Sequence, residues 1–216
     1  MTLRALLDAD IMIKMSALDC QSEFLVALGV PLSDCATLRS MTLSAGISRP
    51  SVRSRKAQSI QGGARLLGLL QSITVVDPLA GSEMALSIQL ARESQALGLA
   101  VDSGEAILLS VGGVRHVEAI VTGDKRAIRS LPLLAIRVPQ LTSLQGKIVC
   151  FEQLVAGAVR GYGLAKLSPR LLAASASDGA LRNAMARAGG VEATFLVEMD
   201  TYVTQLKTQA PGWLVP

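Results

Sequence analysis

Short apolar runs that stop at an acid or a proline alternate with stretches of helical periodicity, and this alternation constrains the fold more than any other feature of the chain. Residues 3–7 read as a buried strand ending at Asp8. "SITVVDP" (72–78) is a β-branched run stopped by Pro78, "VEAIVTGD" (117–124) is a buried strand ending at Asp124, and "GKIVCFE" (146–152) reads as a last strand. Between them the apolar residues return at helical spacing: Ile11, Met15, Leu18, Leu25 and Leu28 share a face up to Gly29. A short helix is expected over 34–44, and "GISRPSVRSRK" (46–56) starts as loop and turns helical through Leu70. Further helices are expected over 82–97, from "VDSGEAILL" onward, and from Asp124 through Leu131. Strands alternating with helices predict an α/β fold with a mostly parallel, helix-covered sheet.

After residue 151 the pattern is purely helical. Phe151, Leu154, Val155, Ala158 and Val159 form one apolar stripe, and Val191, Phe195, Met199, Val203 and Leu206 form another. Between them "LAASASDGALRNA" (172–184) suits a flexible connection. The expected organisation is therefore an α/β domain over 1–150 and a helical extension over 151–216. Half of the 216 residues are apolar but only 3% are aromatic, so the core must be built from Leu, Ala, Val, Ile and Met. No apolar run reaches the roughly 18 residues of a membrane span, and no secretory leader is visible, so a cytoplasmic protein without a membrane partner is expected. Cys20, Cys35 and Cys150 lie far apart in no metal-ligand spacing and read as buried apolar residues, and the lone His116 reads as a surface turn residue.

The acids carry the chemistry. Ligands of open parallel sheets bind beyond the carboxyl ends of the strands, where Asp8 and Asp124 both fall. Asp102 and Glu105 open a helix that can point at the same edge. Hard oxygen ligands without His or Cys suit Mg²⁺ or Mn²⁺, which neutralise phosphodiester charge and activate water. Each acid also has a plainer role: Asp102 and Glu105 fit a capping box, and Asp8, Asp10 and Asp124 suit helix N-termini. The net charge is +4, and no acid stands between Asp34 and Asp77, where Arg39, Arg49, Arg53, Arg55, Lys56 and Arg65 fall. That stretch is either a footprint for an anionic polymer or a solvated helix face.

"LLDADIMIK", "DSGEAILLS" and "VTGDKRAIR" resemble, in order and rough spacing, the sequence blocks of PIN-domain proteins, over about residues 3–150. The resemblance implies an α/β/α sandwich whose clustered acids bind Mg²⁺ or Mn²⁺ and hydrolyse RNA. Carried over by motif, Asp8, Glu105 and Asp124 take the catalytic positions and Asp10 an auxiliary one. A further helical acid is expected 30–40 residues after the first; Asp34 is the best-spaced candidate for it, with Glu23 behind. The metal set implied is Asp8, Asp10, Asp34, Asp102, Glu105 and Asp124, and Arg49, Arg53, Arg55, Lys56 and Lys125 are the expected RNA contacts. An antitoxin-like protein and a second copy of the chain are the protein partners the resemblance suggests. Two other readings stay open: a PIN-like module that binds RNA or protein without cutting, and a haloacid-dehalogenase-like phosphatase, whose nucleophile motif "DAD" after an apolar strand also resembles.

Overall fold

The computed structural model describes residues 3–79, 81–173, 175 and 178–216. Five strands form one sheet: β1 (Ala5–Leu7), β2 (Cys35–Leu38), β3 (Thr74–Val76), β4 (Ala119–Thr122) and β5 (Ile148–Cys150). All neighbouring pairs are parallel and the order is β3-β2-β1-β4-β5. The chain works outward from β1 on one side, then returns to place β4 on the other. Strand order thus reverses between β1 and β4, and a crevice opens beyond their carboxyl ends.

Successive strand residues point to opposite faces, and both faces are buried, as a parallel sheet requires. Ala5, Leu7, Cys35, Ala119, Val121 and Val149 face one layer. It contains α1 (Ala9–Ala17), α2 (Gln21–Leu28), α5 (Ile60–Ser72), α9 (Phe151–Tyr162), α10 (Leu164–Ala173) and α11 (Gly179–Ala188). Leu6, Ala36, Leu38, Ile120, Ile148 and Cys150 face the other, formed by α3 (Arg39–Ala45), α6 (Ser82–Ala96), α7 (Ser103–Val114) and α8 (Lys125–Arg137). The protein is a three-layer α/β/α sandwich.

Several local expectations are corrected. Residues 34–44 are not one helix: Cys35–Leu38 is the buried strand β2, and α3 follows. With Thr37 as its one β-branched residue, this strand has no alternation to advertise it. The helix expected up to Gly29 is split into α1 and α2 at Asp19, whose φ of 56° ends the first. Residues 50–70 likewise split into α4 (Pro50–Lys56) and α5, with Gln58 at φ 60° between them. Gly63 lets these two pack, since a Cβ there would stand 2.9 Å from Cα of Ser54. Helix α8 continues past Leu131 and Pro132 to Arg137.

Residue 150 is not a packing boundary. Of the connection expected over 172–184, Ala174, Ala176 and Ser177 lie outside the described residues, while Gly179 onward is helical, with the Asp178 carboxylate accepting from the amides of Ala180 and Leu181. The last helix, α12 (Glu192–Gln209), places Phe195 and Met199 in the first layer and Val203 and Leu206 in the second, so it wraps the β5 edge. Beyond it, Ile148 donates to Trp213 O (3.1 Å) and Val215 to Ile148 O (2.9 Å), which satisfies the free edge of β5. Phe24 and Phe151 meet edge to face at 5.9 Å, tying α2 to α9.

One cooperative unit should therefore unfold as one. Phe195→Ala is expected to cost about 3–5 kcal/mol. In denaturant, the helical circular dichroism and the fluorescence of Trp213, the single tryptophan, should change together in both proteins. A separate transition for either probe would support a division at residue 150.

Candidate functional site

Asp8 is the first residue beyond β1, and its amide donates to Val121 O of β4 (3.0 Å). Although it precedes α1, its carboxylate does not cap that helix. It accepts instead from the Thr122 hydroxyl (3.0 Å), and the same hydroxyl oxygen accepts from the Asp124 amide (3.2 Å). One threonine at the end of β4 thereby ties the two strand-end acids together. Asp124 caps α8 through the amides of Arg126 (2.8 Å) and Ala127 (3.1 Å), and its other oxygen meets the Arg126 guanidinium (3.1 Å). Asp102 and Glu105 form the expected capping box at the start of α7, at 2.8 and 2.9 Å.

A cleft of about 440 Å³ is lined by Asp8, Asp10, Asp102 and Glu105 together with Ser40, Met41, Ser44 and Lys56. Lys56 Nζ donates to Ser44 O (2.7 Å) at the rim. Beneath Glu105 the wall is apolar, formed by Leu108, Leu109, Ile120, Ile128 and Leu131. Burial, reinforced by the charges of Asp124, Asp102 and Asp8, therefore pushes the Glu105 carboxyl from 4.5 up to about 8 against the Asp102 amide bond. Burial also pushes Asp8 from 3.8 to about 6, with the charge of Asp10 adding to it and the Thr122 bond opposing. Burial favours the neutral form of Asp124 too, but Arg126 and two amides outweigh it and hold this carboxyl below its ordinary value.

Asp10 lines the cleft from the first turn of α1 and is held from behind. Lys14, buried at 6% exposure, places Nζ 2.8 Å from Asp10 and 2.9 Å from Asp178, 4.6 Å above the Phe151 ring. A Cβ on Gly123 would collide with the Asp10 carboxylate and stand 3.0 Å from Lys14 Nζ, so glycine there leaves room for this ion pair.

The remaining expected site residues lie elsewhere. Asp34 precedes β2, at the amino edge of the sheet, 4.0 Å from Arg4, because a parallel neighbour of β1 starts where β1 starts. Glu23 pairs with Arg170 (2.6 Å). Neither joins the cleft. Arg53 is not an RNA contact: it is 8% exposed and donates to the carbonyls of Gly63 (2.9 Å), Gly46 (3.1 Å) and Ile47 (2.9 Å), fastening α4 to α5. Lys125 turns inward against the buried Glu152 carboxylate, with Asp178 3.9 Å away. Arg39 and Arg65 pair with Asp77 and Asp19, acids outside the acid-free stretch. Arg49 and Arg55 are exposed, and Lys56 alone of the five expected contacts lines the cleft. The cysteines are buried thiols, and His116 is exposed in a left-handed turn at φ 54°.

Thr122, Lys14 and Asp178 are the site residues that sequence reasoning passed over. Thr122 stands inside the "TGDK" block, and Lys14 lies four residues after Asp10 on one helix face, the spacing of an intrahelical ion pair. For Asp178 the only local signal is an acid before a helical run.

The all-oxygen donor set of Asp8, Glu105 and Asp124, with Asp10 and Asp102 beside it, fits a hard divalent cation. Among the described residues, no three His, Cys, Asp or Glu side chains already stand in a ligating arrangement. Among the described residues, too, no helix is long and apolar enough to cross a membrane. No protein-family model matches the chain, and no curated protein or solved structure matches it.

Two measurements check this geometry. Because Asp8 and Glu105 hold protons in the folded chain that they release when unfolded, the metal-free protein should lose stability as pH rises from about 4 to 8. Glu105→Gln keeps the capping box and should flatten the 6–8 part of that melting profile; an unchanged profile would contradict the burial of Glu105. Arg53→Gln leaves carbonyls without their donor and should cost about 2–3 kcal/mol in denaturant unfolding, whereas Arg55→Gln should stay within about 0.5 kcal/mol.

Proposed function

We propose that this protein is a metal-dependent endoribonuclease of PIN-like type, with Mg²⁺ or Mn²⁺ held by Asp8, Glu105 and Asp124. The observation that carries this reading is the gathering of these acids beyond β1 and β4, where Thr122 joins two of them and Glu105 is pushed up to about 8 in their company. Carboxylates that serve only as caps have no reason to be neighbours. A bound divalent ion would neutralise phosphodiester charge and lower the pKa of a water. The chain's own residues do the rest. Asp124 is kept ionised by Arg126 and the α8 amides, so it is a ready anionic ligand at neutral pH. Lys56 lines the same cleft as the acids, where it can meet a phosphate that the carboxylates alone would repel. Ser40 and Ser44 offer hydroxyls there too.

One observation favours a second reading, a PIN-like module that binds RNA or a protein without cutting. Asp34, the acid expected to complete the site, stands at the opposite edge of the sheet. The cleft then has less charge with which to hold an ion.

Asp124→Asn decides between them. Asparagine still caps α8, so the melting midpoint should stay within a few degrees. Cleavage of single-stranded RNA by the wild type should require Mg²⁺ or Mn²⁺. In the variant it should fall by orders of magnitude, at tenfold for each ~1.4 kcal/mol of lost charge stabilisation. A wild type that binds RNA and leaves it intact with either ion would establish the binding module.

A further inference from the structure

Lys14 lies inside the first helical layer, and its ammonium has two partners of opposite position. Asp10 faces the cleft with its side chain 46% exposed, while Asp178 is 6% exposed and belongs to the turn before α11. Asp178 divides its carboxylate: Oδ1 accepts the amides of Ala180 (2.9 Å) and Leu181 (3.1 Å), and Oδ2 accepts from Lys14 at 2.9 Å. Its orientation is thus fixed by a helix N-terminus rather than by the lysine. Lys14 in turn is packed against the Phe151 ring and cannot follow Asp10 outward without leaving it. The Asp10–Lys14 pair abuts Gly123, where an added Cβ would collide with the Asp10 carboxylate and stand 3.0 Å from Lys14 Nζ.

We propose that Asp178 is a positioning residue for the acidic cleft: by sharing Lys14 with Asp10 it fixes where the Asp10 carboxylate stands beside Asp8 and Gly123. A lysine with one carboxylate would be a full counter-charge to Asp10 and would draw it away from the cleft. A lysine shared between two acids leaves Asp10 with charge to spare for a ligand. The 164 residues separating Lys14 from Asp178 make this a link between the C-terminal helices and the acid site. The inference rests on the divalent-ion reading of the cleft given above.

The test compares the full-length wild type with Asp178→Asn, which keeps the helix cap but loses the charge. Mn²⁺ binding is followed by electron paramagnetic resonance, and the Gly123 amide by NMR. Mn²⁺ affinity should weaken about 10- to 100-fold, the usual range for disturbing a residue behind a ligand, and the Gly123 resonance should move. Asp200→Asn, which removes the exposed partner of Arg160 on α12, should leave both unchanged. Unchanged Mn²⁺ affinity in a folded Asp178→Asn overturns the proposal. Should that variant fail to fold, Lys14→Met/Asp178→Leu removes both buried charges together. Recovered folding with Mn²⁺ affinity still weakened supports positioning, whereas recovery of both reduces the pair to a structural ion pair. If the wild type binds no Mn²⁺, the divalent-ion reading falls. The Gly123 amide then decides alone: a shift in Asp178→Asn keeps the positioning role, and an unmoved resonance ends it.

Discussion

Carboxylates gathered at one end of a sheet repel one another, and this fold is organised to hold them there. The scaffold that resists the repulsion is the pairing of β1 with β4, whose hydrogen bonds fix Asp8 and Thr122 at adjacent strand ends. Each acid then has its own restraint. Asp8 has the Thr122 hydroxyl, Asp124 the amides of α8, Glu105 the capping box with Asp102, and Asp10 the Lys14 ammonium. Hydrogen bonds to charged groups are stronger than neutral ones, which holds Asp124 on the α8 amides and Asp10 on Lys14. Burial meanwhile favours the neutral forms of Glu105 and Asp8 and so eases the repulsion. The contacts that cap α7 and α8 and that tie Asp8 to Thr122 also orient these side chains.

The sequence was most legible where one periodicity ran uninterrupted. β3, β4 and β5 carry β-branched residues or sit between clear stops, α7 begins on the Asp102 capping box and α6 stops just before Gly98, so their places could be read directly. β2 could not, because "CATL" is short and compositionally neutral, and its burial comes from tertiary placement between β1 and β3 and between the two helical layers. The same limit governs the site. Asp8, Glu105 and Asp124 stand at element boundaries, which periodicity locates. Asp34 was proposed from its distance along the chain, and chain distance does not say at which end of a strand a residue will fall. Lys14 and Asp178 meet only through tertiary packing, and nothing near either of them in the sequence names the other.

Charge counted along the chain proved a poor guide to charge displayed on the surface. The acid-free segment between Asp34 and Asp77 contains six cations, but folding brings Asp77 to Arg39 and Asp19 to Arg65, and it buries Arg53 among backbone carbonyls. Of the six, only Lys56 lines the cleft, beside Asp8, Asp10, Asp102 and Glu105.

The wrapping of α12 around the β5 edge has a kinetic side. A growing chain that has reached residue 150 has all five strands, but one face of the sheet and the edge of β5 still await Phe151, Phe195, Met199 and the pairing of Ile148 with residues 213–215. Lys14 at that moment has a solvated ammonium and no second acid. Contacts this distant in sequence close late and slowly, so the half-made protein passes through a period with an open strand edge, the condition under which chains add to one another. Its safe passage depends on how soon the last helices arrive.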